Sequence, residues 1–544
     1  MLEEDYYLAN FRSLVVFVEQ TYQGLLSEAE LNWYNAFMGV SEPSQRLYVR
    51  LIGRRAPLFR LSKLRYPEIA SISDAANELC TNELGVGEPP TKLGDLLPAF
   101  TKPELIKLLG LTGQRQLSRV ELEQYIIDRD QLSDIEILQQ HEVWFKIEGF
   151  NEFTVFKLCF FGNCYQDLSE FVLRDLGVFE YEQYRIDKQS RVFQNRQQID
   201  AHLQYFACAT MLEQVDHNDA DALLSVNQLL PENKSQDAHL ARRVDRMHNS
   251  VARQLERLGL LEDALRLYGQ SEKPPSRERQ VRVLMKLARF QEAKQLSDVI
   301  LTTPYADEEI HFVETVQPKL YKALNLPPPK KKRFRPLTTK LTLTAGDARV
   351  EFIARDFYAQ FGECFYVENT LINGVLGLFI WDIIFAPVEG VFYNPFQSAP
   401  ADFYQPEFLQ SRAQLIEDRF AELEDPLRFS ARVWERFEQS QGISNRLVNW
   451  QYLNPDVLSL ALIRIPTNDW RHLFSRLLSD LRNHTSGLPD LVLFPKDGSY
   501  EMIEIKGPGD AVQKNQRRWM AYFSEHRIPY RVVHISWASH TIPA

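Results

Sequence analysis

The chain is poor in cysteine and lacks the short motifs with which cysteine and histidine usually bind zinc. Its 544 residues include five scattered cysteines, and neither a CxxC nor an HxxxH pair occurs. Because structural zinc sites are built from such closely spaced pairs, the sequence argues against zinc chemistry. An odd, sparse set of cysteines is also typical of a reducing compartment.

Long hydrophobic runs and an overall basic charge are also lacking. No apolar stretch is long enough to span a membrane, and the start Met1-Leu2-Glu3-Glu4-Asp5 is acidic where a signal peptide would be basic. We therefore expect a cytoplasmic protein, nucleoid-associated if bacterial, with no membrane partner. The net charge of −11 means that binding to nucleic acid would depend on local basic patches.

One such patch lies near the N-terminus. Between residues 46 and 65 there are seven basic residues, no acidic residue and interleaved aromatic rings. The basic residues are Arg46, Arg50, Arg54, Arg55, Arg60, Lys63 and Arg65. Cations that follow a phosphate backbone, with rings for stacking, are what a DNA-binding surface requires. The alternative is a solvated helix face whose acidic partners lie elsewhere in the fold.

A second candidate DNA-binding element spans about residues 92–128. Thr101 is a plausible N-cap of one short amphipathic helix, and the loop Gly110–Arg115 leads to a second helix beginning near Ser118. Two such helices joined by a glycine-containing basic loop resemble a SAP-type motif, although helix pairs of this kind are common. The predicted phosphate contacts are Lys102, Arg115 and Arg119.

The middle of the chain carries a weak repeat. Leu258–Ala264 aligns with Leu287–Ala293 at an offset of 29 residues, which predicts tetratricopeptide-like helical hairpins or, alternatively, an ordinary helical bundle. The segment Pro327–Pro336 has the composition of a linker. DNA contact and nuclear localisation are the second and third interpretations of its basic residues.

The most informative pattern lies near the C-terminus. An apolar strand opened by Asp490 is followed by a turn and by a second strand that ends in Glu504-Ile505-Lys506. A hairpin would bring Asp490 to the edge of the sheet where Glu504 and Lys506 lie, and these two residues share a face because they are two apart. Two carboxylates and a lysine suit magnesium-dependent phosphodiester hydrolysis, in which oxygen ligands hold the ion.

This pattern resembles the PD-(D/E)xK nucleases, and the continuation Gly507–Asp510 with Gln516 and Trp519 resembles their VRR-NUC branch. Trp519 itself is interpreted as a core residue. Two further segments, Gln45–Tyr48 with Arg60–Pro67 and Gly374–Phe385, resemble the Fanconi-associated nucleases. The order of basic helical region, SAP-like element, helical repeats and nuclease domain matches that family along nearly the whole chain.

The resemblance implies a multidomain protein with mainly α N-terminal and middle parts and a C-terminal α/β domain like that of restriction endonucleases. The expected divisions are residues 1–215 for a helical DNA-binding region, 216–325 for tetratricopeptide-like hairpins, and 326–544 for the linker and nuclease domain. The implied activity is structure-selective cleavage near 5′ flaps and 5′–3′ trimming of branched or flapped duplex DNA, in interstrand crosslink repair. The resemblance does not identify protein partners for the helical repeats.

The resemblance also assigns roles to individual residues. One or two Mg²⁺ or Mn²⁺ ions would be held by Glu368, Asp490, Glu504 and the Ile505 carbonyl, while Lys506 orients or deprotonates the attacking water. Arg482 and Gln516 match positions that contact DNA, and Arg482 belongs to a 5′-phosphate pocket. Asn515 stands where some members carry lysine, which would weaken that pocket.

Four other interpretations follow from the same residues. Glu368 could instead be an N-cap or a salt-bridged carboxylate at the helix that begins near Asn369, and Asp382 is interpreted as a structural carboxylate. A junction-resolving or restriction-type nuclease of the same fold is a rival enzyme, and a junction-binding scaffold with an inactive nuclease domain is a rival from another class.

Overall fold

The computed structural model describes residues 6–54, 58–129, 131–166, 180–232, 237–327 and 334–538. These residues form two compact units. The first comprises the described residues of Met1–Val178 and Phe193–Leu203, and the second those of Phe179–Val192 and Gln204–Ala544. The predicted divisions at residues 215 and 325 stay a prediction. No helix within the described ranges is long and apolar enough to cross a membrane.

The first unit is mainly helical. Its helices are Tyr6–Tyr22, Glu28–Gly39, Glu42–Ile52, Ile72–Thr81, Leu93–Leu96, Lys102–Leu108, Arg119–Arg129, Leu132–Gln140 and Phe150–Phe161, and the helix Arg196–Gln214 begins in it. A small antiparallel sheet has the order β1 (Leu58–Arg60), β3 (Trp144–Ile147), β2 (Gly85–Val86). Phe11 anchors an aromatic core, with ring centroids 4.9 Å from both Phe37 and Phe153.

The second unit opens with β4 (Glu180–Tyr181) and a run of antiparallel helices. These helices are Ala220–Gln228, Ala238–Arg257, Leu261–Gly269, Ser276–Lys286, Phe290–Thr302 and Asp307–Ala323. Gly259 and Ala288, which are equivalent in the predicted 29-residue repeat, both turn the chain in the left-handed region, with φ of 83° and 56°. The helical hairpins are therefore present where predicted, while their tetratricopeptide character stays a prediction.

The rest of the second unit is built around a five-stranded mixed sheet. Its order is β5 (Thr338–Leu343), β10 (Tyr530–Trp537), β9 (Glu501–Lys506), β8 (Leu491–Pro495), β6 (Gly362–Tyr366). β10 runs parallel to β5 and β9, and β8 is antiparallel to β9 and β6. A short parallel pair joins β4 to β7 (Ile443–Ser444).

Helices cover both faces of this sheet. The helix Val350–Tyr358 packs against Leu491, Ile503 and Val533 on one face, and the other face carries the larger hydrophobic core. The helices of this part of the chain are Val350–Tyr358, Leu371–Phe379, Trp381–Ile384, Glu407–Ser411, Ala413–Ala421, Pro426–Gln439, Pro455–Arg464, Thr467–Ser479, Leu481–His484 and Lys514–His526.

The predicted fold class is confirmed, with helical N-terminal and middle parts and a C-terminal mixed sheet. Besides the short strands β1–β4 and β7, two strands of the five-stranded sheet were not anticipated from the sequence, β5 and β6. Both are edge strands of six and five residues, and short edge strands give weak sequence signals because one side pairs with nothing. β6 matters for the site because it leads directly to Glu368.

Candidate active site

The hairpin β8–β9 places the two predicted metal-binding carboxylates opposite each other. Its register pairs Leu491 with Ile503, and one step further it sets Asp490 against Glu504. The Ile505 backbone N–H donates to Asp490 Oδ2 at 2.8 Å, which fixes the aspartate side chain against the facing strand. The hairpin prediction therefore agrees with the structure.

Glu504 is the most deeply buried of these groups, with no exposed surface. Its Oε1 accepts hydrogen bonds from Gln516 Nε2 at 2.6 Å and from Lys506 Nζ at 2.7 Å. The second oxygen, Oε2, is buried without a hydrogen-bond partner among the described residues. Since unpartnered buried carboxylate oxygens are costly, this atom is suited to a ligand absent from the protein itself.

The electrostatics of the pair follow from burial. Desolvation raises the pKa of Asp490 to about 6, against the lowering effect of the Ile505 N–H and the Lys506 charge. Desolvation and the neighbouring Asp490 charge raise the pKa of Glu504 to about 8, although Lys506 opposes the shift. The neutral form of Glu504 is therefore favoured near pH 7 in the free protein despite the Lys506 charge, and a further cation beside it would favour the ionised form.

Glu368 lies just beyond β6, close enough for its charge to raise the pKa values of both Asp490 and Glu504. The two segments are tied by a 2.8 Å hydrogen bond from Val367 N to the Asp490 carbonyl. Glu368 itself is exposed and accepts a hydrogen bond from the Tyr366 hydroxyl. The helix after it begins at Leu371 with Thr370 as N-cap, so the helix-cap interpretation of Glu368 is wrong.

The donor set fits a hard divalent cation, although it is not preassembled. The described residues contain no group of three or more His, Cys, Asp or Glu side chains already arranged to hold a metal. The unpartnered Glu504 Oε2 and the neighbouring carboxylate of Asp490 are nevertheless oxygen ligands of the type that Mg²⁺ and Mn²⁺ prefer.

A basic cluster in the same unit surrounds Arg482. The Arg482 guanidinium sits 5.7 Å from the centre of the Tyr404 ring, and Lys273 Nζ donates to Gln405 Oε1 at 2.9 Å. Burial, and then repulsion from Arg242, Arg246 and Arg482, lowers the pKa of Lys273 to about 8. We call Lys273, Arg242, Arg246 and Arg482 the Lys273 cluster. An anion would relieve the mutual repulsion of these cations.

Several of the basic residues between positions 46 and 65 already form ion pairs with glutamates, which the sequence alone did not indicate. Arg60 is buried, with a side-chain exposure of 4%, and it pairs with Glu104 at 2.9 Å. Arg46 pairs with Glu42, Arg50 with Glu68, and Lys63 with Glu104, at 2.7, 2.7 and 3.0 Å. The structure therefore contradicts Arg60 as a phosphate contact, because its charge is neutralised inside the first unit.

Arg54 and Arg65 keep exposed charges. Arg54 donates to the Tyr66 hydroxyl at 2.6 Å and Arg65 to the Leu64 carbonyl at 2.8 Å, and within the described part of the first unit neither forms an ion pair. Arg55 lies outside the described residues. These two arginines are the members of the predicted cluster best placed to meet a phosphate.

The predicted phosphate contacts of the SAP-like element also divide into cations that bond within the protein and one that is exposed. The Lys102 ammonium donates to the Arg115 and Leu117 carbonyls, and Arg119 pairs with Glu123 at 2.6 Å and donates to the Leu97 carbonyl. Both cations therefore stabilise the element itself. Arg115 is exposed and stays a candidate phosphate contact.

Sequence reasoning missed Tyr366 and the members of the Lys273 cluster other than Arg482. Tyr366 is the last residue of β6, a short edge strand with a weak sequence signal. No local pattern marks Lys273, Arg242 or Arg246, because they reach Arg482 from helices and loops more than 200 residues earlier in the chain.

The mixed sheet and its Asp490, Glu504 and Lys506 site define a VRR-NUC domain. A family model for the VRR-NUC domain matches residues 425–537, and a model described as the FAN1 HTH domain matches residues 5–84. Nucleases with this domain are generally dependent on divalent metal.

Similarity extends over the whole chain. It is 33% identical to the Fanconi-associated nuclease 1 homolog of Pseudomonas aeruginosa, over 98% of this chain and 96% of that protein. A Fanconi-associated nuclease 1 homolog from Oryza sativa subsp. japonica is 24% identical, over 97% of this chain and 62% of that protein. The structure is also similar to the crystal structure of paFAN1 bound to 5′-flap DNA with a 2-nt flap and a gap. The TM-score is 0.85, the sequence identity is 32%, and the match covers 99% of each chain. The chain belongs to the Fanconi-associated nuclease family, which confirms the resemblance.

The raised pKa values of the carboxylates lead to a prediction about metal binding and pH. Mn²⁺ should displace the proton of Glu504, so its apparent affinity should rise roughly tenfold per pH unit between about pH 6 and 8 and level off above about pH 8. Below about pH 6 the slope should steepen as Asp490 also protonates. Isothermal titration calorimetry in buffers of different ionisation enthalpy measures both affinity and proton release.

Glu504→Gln should remove this pH dependence, while Asp497→Asn, in the exposed turn between β8 and β9, should preserve it. A Mn²⁺ affinity that stays flat from about pH 6 to 8 in the unaltered protein would contradict the assignment of Glu504 as a ligand that loses a proton.

Proposed function

We propose that this protein is a structure-selective DNA nuclease that hydrolyses phosphodiester bonds near 5′ flaps and trims from the 5′ side, in interstrand crosslink repair. The observation that carries the proposal is the buried carboxylate pair Asp490 and Glu504 with Lys506 at 2.7 Å from Glu504, on a chain of the Fanconi-associated nuclease family. Its substrate would be branched or flapped duplex DNA, in the cytoplasm or nucleoid of a bacterium.

The chemical roles follow from the contacts. Asp490, Glu504, the Ile505 carbonyl and Glu368 would hold one or two Mg²⁺ or Mn²⁺ ions, which when bound polarise the scissile phosphate and a water. Lys506, held by Glu504 in a nearly water-free position, orients the attacking water and offsets the charge that develops on phosphate. Gln516 keeps Glu504 Oε1 in place, so it acts as a positioning residue.

The proposed function is tested by cleavage of labelled 5′-flap DNA with and without Mn²⁺. Asp490→Asn should lower the single-turnover rate by more than about 100-fold, since removing a direct ligand costs at least as much as removing a residue that supports one. Flap binding should change little, because the substituted carboxylate serves the metal rather than the duplex.

Two other results would favour the rival functions. Binding without any metal-dependent cleavage by the unaltered protein would favour a junction-binding scaffold. Preference for four-way junctions or for unbranched duplex over flaps would favour a junction-resolving or restriction-type nuclease.

The Lys273 cluster supports a proposal about the end of the flap. Its cations lie in the unit that contains the carboxylates, with Tyr404 beside Arg482, and we propose that they bind a 5′-terminal phosphate. Arg242 pairs with Glu407 at 3.0 Å, so the cluster keeps a net positive charge of about three. Asn515 lies next to Gly487 and adds no cation.

Arg482→Ala should therefore reduce the advantage of a 5′-phosphorylated short flap over the same flap with a 5′-hydroxyl. Charge-assisted phosphate contacts are worth roughly 1.5–3 kcal/mol, which predicts a decrease in kcat/KM of roughly 10- to 150-fold for the phosphorylated flap alone. The partly exposed Arg464 beside Gly498 gives a matched Arg→Ala control. An equal decrease on both flaps would show that Arg482 serves general DNA binding.

Arg54, Arg65 and Arg115 are proposed to contact duplex phosphates. The double variant Arg54→Ala/Arg65→Ala should weaken binding of all sequences alike and reduce the slope of log K against log[salt] by roughly one unit for each arginine removed. Lys63→Ala is the comparator, because Lys63 already pairs with Glu104 and should change the slope less. Fluorescence anisotropy at about 50 to 200 mM salt, without metal, measures both quantities.

An unchanged slope in the double variant would identify this face as solvated surface. DNA binding by the first unit would then have to depend on Arg115 or on other residues.

A further inference from the structure

The segment that carries Asp490 has no regular secondary structure of its own. Between the helix Leu481–His484 and β8, residues 485–490 form neither helix nor strand, although Asp490 must be placed accurately for chemistry. Such a segment needs fixed partners for its backbone groups, because an irregular loop otherwise samples several conformations.

Two asparagines supply these partners. The Leu488 N–H donates to Asn369 Oδ1 at 3.0 Å. Asn373 Nδ2 donates both to the Asn369 carbonyl at 2.6 Å and to the Thr485 carbonyl at 2.8 Å. The amide of Asn373 is largely buried, with 7% of the residue exposed. The irregular segment is thereby bonded through Asn373 to the start of the helix Leu371–Phe379, and directly to the turn at Asn369.

That turn is the one that carries Glu368. Asn369 follows Glu368 directly and has φ of 55°, a left-handed conformation that asparagine tolerates better than most residues. The Val367 N–H donates to the Asp490 carbonyl at 2.8 Å, so the turn and the segment are joined on both sides of Glu368. On its other side the segment is closely packed: Gly487, with φ of 84°, leaves no room for a side chain next to Asn515.

We propose that Asn369 and Asn373 are positioning residues for the nuclease reaction, holding Asp490 against the turn of Glu368 and so setting the affinity of the site for divalent cation. We call this pair of amides the asparagine clasp. The inference rests on the proposed function, since it assumes that Asp490 and Glu368 serve the same ions. Neither asparagine touches the reacting atoms.

The clasp can be separated from the backbone conformation by substitution. Asn369→Gly keeps access to the left-handed conformation but removes the acceptor for Leu488 N–H, whereas Asn369→Asp keeps both the acceptor and a tolerable φ. Asn325→Gly is a matched control, because Asn325 has φ of 54° at the exposed end of the helix Asp307–Ala323.

We expect Asn369→Gly to weaken Mn²⁺ binding to the DNA-free protein by roughly 10- to 100-fold, the range found for groups that orient metal ligands. Asn369→Asp should bind Mn²⁺ no more weakly than the unaltered protein, and Asn325→Gly should match it. In flap cleavage, excess Mn²⁺ should restore most of the rate of Asn369→Gly, because the ligands are all present. Asn373→Leu should repeat the Mn²⁺ defect.

Each remaining outcome decides against the clasp. Unchanged Mn²⁺ binding in Asn369→Gly, or an equal weakening in Asn325→Gly, would overturn it while flap cleavage by the unaltered protein still supported the proposed function. Asn369→Gly whose cleavage stays low at saturating Mn²⁺ would also overturn it. If the unaltered protein neither bound Mn²⁺ nor cut flaps, the proposed function itself would fall, and the clasp with it.

Discussion

The burial of Glu504 is the constraint on which the active-site architecture depends. A carboxylate with no exposed surface is tolerated only when protonated, hydrogen-bonded or paired with a cation. Lys506 and Gln516 satisfy one oxygen, and the other is left without a partner in the described structure. The helix Lys514–His526 is therefore as much a part of the site as the hairpin, because it supplies the glutamine and shields the glutamate from water.

The hairpin could be predicted because all its information is local. Alternation in β9 puts Glu504 and Lys506 on one face, and the short turn after β8 fixes the register that brings Asp490 opposite. β6 could not be predicted in the same way, because its five residues pair on one side alone. The resemblance nevertheless assigned Glu368 a place at the site, and its charge acts on both carboxylates.

The basic cluster shows why charge patterns in sequence mislead. Seven cations without a nearby acid suggested a phosphate-binding surface, yet Glu68, Glu104 and Glu142 approach them in the fold, Glu142 from more than 75 residues away. In a chain of net charge −11 such partners are abundant. The Lys273 cluster shows the reverse relation between sequence and charge. Its members are far apart in the sequence, and the fold brings their charges together.

These two sets of cations differ in what an anion would gain by binding. At Arg60 a phosphate would have to displace Glu104 and enter the protein interior, giving up hydration without a free charge to meet. At the Lys273 cluster the pKa of Lys273 is lowered first by burial and then by repulsion from neighbouring arginines, so a phosphate would relieve an existing cost. Repulsion among cations that the fold brings together is thus a better guide to anion sites in this protein than the number of basic residues in a segment.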